Sequence, residues 1–150
     1  MVVDDDVTNL TMARQALSEN YLVTPVTSGE KALALLQKVQ PNLILLDIDM
    51  PGMNGYDTLM AIKQDEKISQ IPVIFLTSLE GSGNELIGLE LGAVDYLTKP
   101  FSPDLLIKRI EMHIDLYNYT YHLQEMVTNK TEIIRELQYA IIHTVTDLIE

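Results

Sequence analysis

Short apolar runs alternate with segments of helical periodicity through the first two thirds of the chain. Two of these runs, 43–46 and 73–76, are apolar throughout rather than alternating with polar residues. A strand with this pattern is covered on both faces, as in a parallel sheet between two layers of helices. The sequence predicts strands at 2–3, 22–26, 43–46, 73–76 and 94–97.

Amphipathic segments separate the predicted strands. Apolar residues recur every three or four positions within 10–19, 30–39, 56–64, 84–91 and 102–116. Gly92 follows the fourth segment as a good helix terminator, and Pro103 suits the first turn of the fifth. Five strand-then-helix units with short connections predict an α/β fold with a doubly wound, five-stranded parallel sheet.

The last part of the chain has a different pattern. Beyond about residue 118 no strand pattern returns, and an apolar stripe follows a long predicted helix at Ile134, Leu137, Ile141, Val145 and Leu148. We therefore divide the chain into an α/β domain, 1–117, and a helical extension, 118–150. Three environments are open for the stripe: a second copy of the helix in a dimer, a further domain, or the surface of the α/β domain.

Composition narrows the class of protein. An apolar fraction of 47% supports a buried core, and the absence of cysteine excludes a disulfide framework and a thiolate metal site. The formal net charge of -12 argues against nucleic-acid binding, because phosphate backbones attract clusters of Lys and Arg. No apolar run approaches the roughly 20 residues of a membrane helix. We expect a cytoplasmic protein, and a fragment of a longer chain because the first strand is short and the stripe runs to the last residues.

Polar residues follow four of the predicted strands. Asp4 and Asp5 follow the first strand, Asp47 the third, Thr77 the fourth and Lys99 the fifth. The carboxyl ends of parallel strands meet at one edge of a doubly wound sheet, where such folds bind ligands. We therefore expect these five side chains to lie close together.

The expected group restricts the chemistry. Crowded carboxylates raise each other's pKa unless a cation neutralises them, and Mg²⁺ prefers one or two carboxylates with water and phosphate oxygens. A lysine ammonium and a threonine hydroxyl would meet further phosphoryl oxygens. An aspartate in such a setting can act as a nucleophile and form an acyl phosphate.

Four motifs resemble the receiver domain of two-component response regulators over roughly residues 1–117. They read VVDD at 2–5, LLDIDMPGMNG at 45–55, FLTS at 75–78 and GAVDYLTKPF at 92–101. The resemblance implies a flavodoxin-like fold with strand order 2-1-3-4-5. It also implies a Mg²⁺-dependent transfer of a phosphoryl group from a histidine kinase or phosphotransfer protein.

The resemblance assigns a role to each site residue. Asp47 is the implied phosphoacceptor. The implied Mg²⁺ ligands are Asp5, Asp47 and the backbone carbonyl of Asp49, with Asp4 acting through a bound water. Lys99, in a cis bond to Pro100, would pair with the phosphoryl group. Thr77, Ser78 and Tyr96 would bind the phosphoryl group or act as the switch.

The resemblance also implies regulation rather than enzymatic turnover. A receiver undergoes self-phosphorylation and slow dephosphorylation only, and its switch alters the face built from the fourth helix, fifth strand and fifth helix. The tail resembles the linker between some receivers and HD-GYP-type cyclic-dinucleotide phosphodiesterase domains, so we expect a downstream output domain. We also expect a homodimer, formed through the C-terminal helix or through the switched face, and no contact with nucleic acid or membrane.

Two other functions are considered. Asp47-Ile48-Asp49 after an apolar strand is similar to the nucleophile motif of haloacid-dehalogenase-type phosphatases. That family, however, does not place acids such as Asp4 and Asp5 ahead of the nucleophile. The second alternative is a degenerate receiver that serves only as a dimerisation scaffold, although the complete set of site residues argues against it.

Overall fold

The computed structural model describes residues 1–78 and 82–147, with side chains described at 1–78 and 86–143. The strands in chain order are β1 (Val2–Val3), β2 (Pro25–Val26), β3 (Ile44–Asp47), β4 (Val73–Thr77) and β5 (Asp95–Thr98). The helices are α1 (Val7–Leu17), α2 (Gly29–Leu36), α3 (Gly55–Gln64), α4 (Ser82–Glu90) and α5 (Pro103–Asp147).

The five strands form one parallel sheet in the order β2-β1-β3-β4-β5. The predicted fold class and strand order are therefore confirmed. β3 lies at the centre of the sheet, and its four residues are all buried. Because every strand runs in the same direction, all the carboxyl ends meet at one edge of the sheet.

The apolar strands are covered on both faces, as the uninterrupted runs predict. Alternate residues of β3 point to opposite faces. Ile44 and Leu46 join a core with α2 and α3, whereas Leu45 joins a second core that includes Leu10 of α1 and Leu106 of α5. The helices thus form two layers that fix the position of the carboxyl edge.

Strand β2 is shorter than predicted. The pattern predicts a strand over 22–26, but the structure has pairing only at Pro25 and Val26, and Leu22 is 97% exposed. The reason is that β1 offers only two residues for pairing, Val2 opposite Pro25 and Val3 opposite Val26. The apolar character of Leu22 is therefore not a sign of burial in a strand.

The predicted long helical extension is confirmed, and it is continuous with the fifth predicted helix, so that α5 runs from Pro103 to Asp147. No glycine or proline occurs after Pro103, so nothing in the sequence interrupts it. The chain divides into two compact units, Met1–Ile114 and Asp115–Glu150. In the second unit the stripe residues Ile134, Leu137 and Ile141 are exposed.

Two other stripe positions cannot be compared in the same way, since the side chain of Val145 and the whole of Leu148 lie outside the described residues. None of the described helices is apolar over a length sufficient to cross a membrane.

Candidate functional site

Three carboxylates meet at the carboxyl edge of the sheet. Asp4 and Asp5 follow β1, and Asp47 is the last residue of β3. One oxygen from each carboxylate lies within 4.8 Å of the others. Asp4 and Asp47 are buried, whereas Asp5 is exposed, so the group is open to solvent on one side.

Lys99, just beyond β5, joins two of these carboxylates. Its Nζ donates to Oδ2 of Asp4 at 2.7 Å and to Oδ1 of Asp47 at 3.0 Å. Burial alone would lower the pKa of Lys99, but the hydrogen bonds to Asp4 and Asp47 outweigh it and raise that pKa. Lys99 is therefore held as a cation between the two buried acids.

The electrostatic position of Asp47 is different. Burial raises the pKa of the Asp47 carboxyl, the Lys99 ammonium opposes that rise, and the nearby charges of Asp4 and Asp49 add to it. The net shift is upward, so the fold disfavours a charged Asp47 relative to the unfolded chain. One ammonium does not neutralise this group of acids.

Asp4 is held by a residue that sequence reasoning did not single out. Nδ2 of Asn9, in the first turns of α1, donates to both Asp4 oxygens, at 3.2 and 3.0 Å. The backbone N–H of Asp6 also donates to Asp4, at 2.8 Å. The sequence pattern does not indicate this contact, because it depends on how α1 is rotated on the sheet. Asp6 itself caps α1 by accepting from the Thr8 N–H.

The loop after β3 folds back closely on Asp47. The N–H of Gly55 donates to the carbonyl of Ile48 at 2.9 Å. A Cβ on Gly55 would lie 2.3 Å from the carbonyl oxygen of Asp47, a distance that only glycine avoids. Gly52 in the same loop has a φ of 79°, which also favours glycine. The glycines of this motif thus shape the loop that carries Asp49.

The other predicted site residues surround the carboxylates without all contacting them. Thr77 ends β4 and is buried. The hydroxyl of Ser78 donates to Asp49 at 3.2 Å rather than to one of the three clustered acids. Tyr96, opposite Phe75 across β4 and β5, is half-buried and lines a small cavity beside Thr77. The predicted cis bond between Lys99 and Pro100 is confirmed.

The group fits a hard divalent cation. Three carboxylates and one ammonium leave a formal charge of -2. All the donors are oxygens, which Mg²⁺ prefers, and the exposed position of Asp5 leaves room for water or phosphate oxygens. A divalent cation would therefore neutralise the two negative charges that Lys99 does not compensate.

Comparison with known proteins agrees with this geometry. A family model described as "Response regulator receiver domain" matches residues 1–111. The chain belongs to the response regulator receiver family. The receiver is 40% identical over 111 residues to the response regulator PleD of Caulobacter vibrioides, covering 73% of this chain and 24% of PleD.

A further relative extends the likeness to the whole chain. The chain is 35% identical over 157 residues to a Vibrio cholerae protein named "Probable cyclic di-GMP phosphodiesterase", covering 100% of this chain and 36% of that protein. The chain thus spans only 36% and 24% of the lengths of these two curated relatives.

The solved receiver domain of the Francisella response regulator 1452 superposes with a TM-score of 0.71 at 33% identity, covering 76% of this chain and 93% of that one. The chain is a receiver of two-component signalling, and these relatives do not favour the phosphatase or scaffold alternatives.

We predict that replacing Asp47 by asparagine stabilises the receiver in the absence of Mg²⁺. The pKa of Asp47 is higher in the folded than in the unfolded protein, so the folded protein holds this proton more tightly. The protonated carboxyl therefore stabilises the fold at low pH, and this stabilisation is lost as pH rises through the folded-state pKa. At pH 7 the neutral Asp47→Asn side chain should raise the free energy of unfolding by about 1–2 kcal/mol. The difference from the wild type should shrink as pH falls through the folded-state pKa.

Urea unfolding with and without Mg²⁺ checks this prediction. Mg²⁺ at about 100 times its dissociation constant should stabilise the wild type by roughly 2.7 kcal/mol, and the variant by less. Asp49→Asn is the matched control, because the Asp49 side chain is exposed and should change metal-free stability little. A less stable Asp47→Asn protein, or equal stabilisation of both proteins by Mg²⁺, would contradict the electrostatic interpretation.

Proposed function

We propose that Asp47 of this receiver accepts a phosphoryl group from a phosphohistidine of a histidine kinase or phosphotransfer protein. The observation that carries the proposal is the position of Lys99, which contacts both Asp4 and Asp47 at the open edge of the sheet. The proposal is supported by the short distances that separate the Asp47 carboxylate, the Lys99 ammonium and the carboxylate oxygens of Asp4 and Asp5.

Asp47 is the acid best placed to act as nucleophile. It lies at the end of the central strand, where the close approach of Gly55 and the contact with Lys99 fix its orientation. A carboxylate oxygen forms a bond to phosphorus as the bond from phosphorus to the donor nitrogen breaks, and the electron pair leaves with the imidazole. The transferred group is then an acyl phosphate on Asp47.

Asp4 supports this step without being the nucleophile. Its two oxygens already accept hydrogen bonds from Asn9, Lys99 and the Asp6 N–H. These contacts favour a role through a bound water and leave Asp5 and Asp47, with the backbone carbonyl of Asp49, as the direct Mg²⁺ ligands. Bound Mg²⁺ would neutralise charge that develops on the phosphoryl oxygens. Lys99 can turn its ammonium from the carboxylates to one of these oxygens.

The switch involves Thr77 and Tyr96. We expect the Thr77 hydroxyl to move toward a phosphoryl group on Asp47 and the Tyr96 ring to turn inward behind it. Both residues line the same small cavity, so a movement of Thr77 would change the surroundings of the Tyr96 ring. Ser78, bonded to Asp49, would adjust on the exposed side of the site. The resulting shift between two states would alter the face formed by α4, β5 and α5.

The first experiment measures intact mass after incubation with acetyl phosphate, with and without Mg²⁺. We predict a Mg²⁺-dependent, alkali-labile gain of one phosphoryl group, which Asp47→Asn abolishes. Asp49→Asn is the matched control, since it removes the neighbouring acid and keeps Asp47, and it should still be phosphorylated. Loss of the adduct in Asp49→Asn with retention in Asp47→Asn would refute the assignment.

We further propose that the second unit forms a parallel two-stranded coiled coil with a second copy of the chain. Two series follow a seven-residue spacing: Val127, Ile134 and Ile141 in one, and Leu116, Leu123 and Leu137 in the other, which is interrupted by Lys130. Leucine in one core position and β-branched residues in the other favour two parallel strands. All six side chains are exposed in the single chain.

A dimer of this kind suits a link to a downstream output domain. The likeness to the Vibrio cholerae protein includes this second unit, and that protein is much longer than the present chain. We therefore propose an output domain beyond the coiled coil, with a cyclic-dinucleotide phosphodiesterase as the candidate activity. The absence of cysteine fits the cytoplasmic location that such a regulator requires.

Leu137→Asp tests the coiled coil, because Leu137 lies in the apolar repeat. The charged side chain should shift the protein from dimer to monomer, with at least a tenfold weaker association measured by analytical ultracentrifugation. Tyr139→Asp is the matched control, since Tyr139 is exposed to a similar degree, 62% against 58%, but lies outside the repeat. A wild type that stays monomeric at high concentration, or equal weakening by both substitutions, would contradict the proposal.

A further inference from the structure

A charged group outside the carboxylate site joins β5 to α5. Asp95 is the first residue of β5, and its side chain is only 12% exposed. Its Oδ2 lies 2.9 Å from Nη1 of Arg109 and 2.9 Å from Nε2 of His113. Arg109 and His113 are four residues apart, so they project from the same side of α5. We call Asp95, Arg109 and His113 the Asp95 bridge.

The other oxygen of Asp95 contacts the neighbouring switch residue. Oδ1 accepts a hydrogen bond from the backbone N–H of Tyr96 at 2.9 Å. One carboxylate therefore connects the backbone of Tyr96 to two side chains of α5. Asp95 and Tyr96 also line the same small cavity beside Thr77. A rearrangement of Tyr96 toward Thr77 would thus occur next to the residue that holds α5.

The two α5 residues contribute differently to the bridge. An ionised carboxylate can only accept hydrogen bonds, so Nε2 of His113 carries the hydrogen in this contact. Arg109 is permanently charged and balances Asp95, although its side chain is 42% exposed. His113 is buried, and its ring therefore provides the fixed contact between Asp95 and the inner side of α5.

We propose that Arg109 and His113 are positioning residues that couple the orientation of Tyr96 to α5 through Asp95. The inference rests on the proposed function, because phosphorylation of Asp47 is the event that would reorient Tyr96. Coupling between two sites is reciprocal, so a change at Tyr96 must alter the surroundings of His113. The Asp95 bridge thereby gives α5 a direct connection to the switch.

Histidine-selective NMR of the full chain tests the coupling. Spectra are compared with Mg²⁺ alone and with Mg²⁺ plus beryllofluoride, which mimics a phosphoryl group on the aspartate. The ring resonances of His113 should shift by more than their linewidth when beryllofluoride binds. His122 and His143 are exposed and serve as internal controls that should shift much less.

Asp95→Asn provides the second measurement. Its side chain keeps an acceptor oxygen but lacks the charge that holds Arg109, so the response of His113 should be reduced at least twofold. Phosphorylation of Asp47 by acetyl phosphate should persist in this variant. Asp104→Asn, an exposed acid in the first turn of α5, is the matched control and should retain the wild-type response.

The outcomes separate this inference from the proposed function. If the backbone amide resonances of Lys99 and Thr77, recorded in a separate NMR spectrum of the same samples, respond to beryllofluoride while the ring resonances of His113 stay unchanged, the Asp95 bridge does not carry the switch and the inference is wrong. The inference is also wrong if a folded Asp95→Asn protein shows the same His113 response to beryllofluoride as the wild type. If no resonance responds and acetyl phosphate gives no adduct, the proposed function itself fails, and the inference fails with it.

Discussion

The contact of Lys99 with Asp4 and Asp47 is the interaction on which the rest of the site depends. Buried carboxylates close to one another are unfavourable unless positive charge compensates them. Lys99 supplies one such charge, with its Nζ 2.7 Å from Asp4 and 3.0 Å from Asp47. Lys99 follows β5, whereas Asp4 follows β1 and Asp47 ends β3, so the contact also links the ends of three strands at the carboxyl edge. The negative charge that remains uncompensated favours the binding of a divalent cation at this edge.

Strand β5 connects that electrostatic centre to the surface of the receiver. Lys99 follows its last residue, Tyr96 lies within it, and Asp95 at its beginning contacts α5. A change in charge at Asp47 would therefore act on a strand whose other end is hydrogen-bonded to a helix. Hydrogen bonding in the parallel sheet fixes the register between β4 and β5, so each residue of β5 has a defined partner on β4. Site and response are thus arranged along one element.

Much of the fold could be predicted from the sequence, because its strongest signals are local. The uninterrupted apolar runs of β3 and β4 and the short connections predict a parallel sheet, and a parallel sheet necessarily gathers the residues after its strands. The strand predicted around Leu22 was wrong for a physical reason, and the junction within α5 was not specified by the pattern. The length of a strand depends on how many residues the neighbouring strand offers for pairing. The continuity of α5 follows from the absence of glycine and proline after Pro103, not from the apolar stripe.

The charged members of the site could likewise be predicted, because the strand ends locate Asp4, Asp47 and Lys99. The contacts of Asn9 with Asp4 and of His113 with Asp95 could not, since each joins a helix to a strand end. The pairing of such side chains depends on how each helix is rotated on the sheet. A single sequence does not specify that rotation accurately enough to predict an individual hydrogen bond.

Mapping the phosphorylated residue directly tests the central claim. After incubation with acetyl phosphate and Mg²⁺, borohydride reduction converts an aspartyl phosphate into homoserine, which peptide mass spectrometry can locate. The account predicts homoserine at position 47 and aspartate retained at positions 4, 5 and 49. Homoserine at position 49 or 5, with Asp47 unmodified, would contradict the role that the contact with Lys99 gives to Asp47.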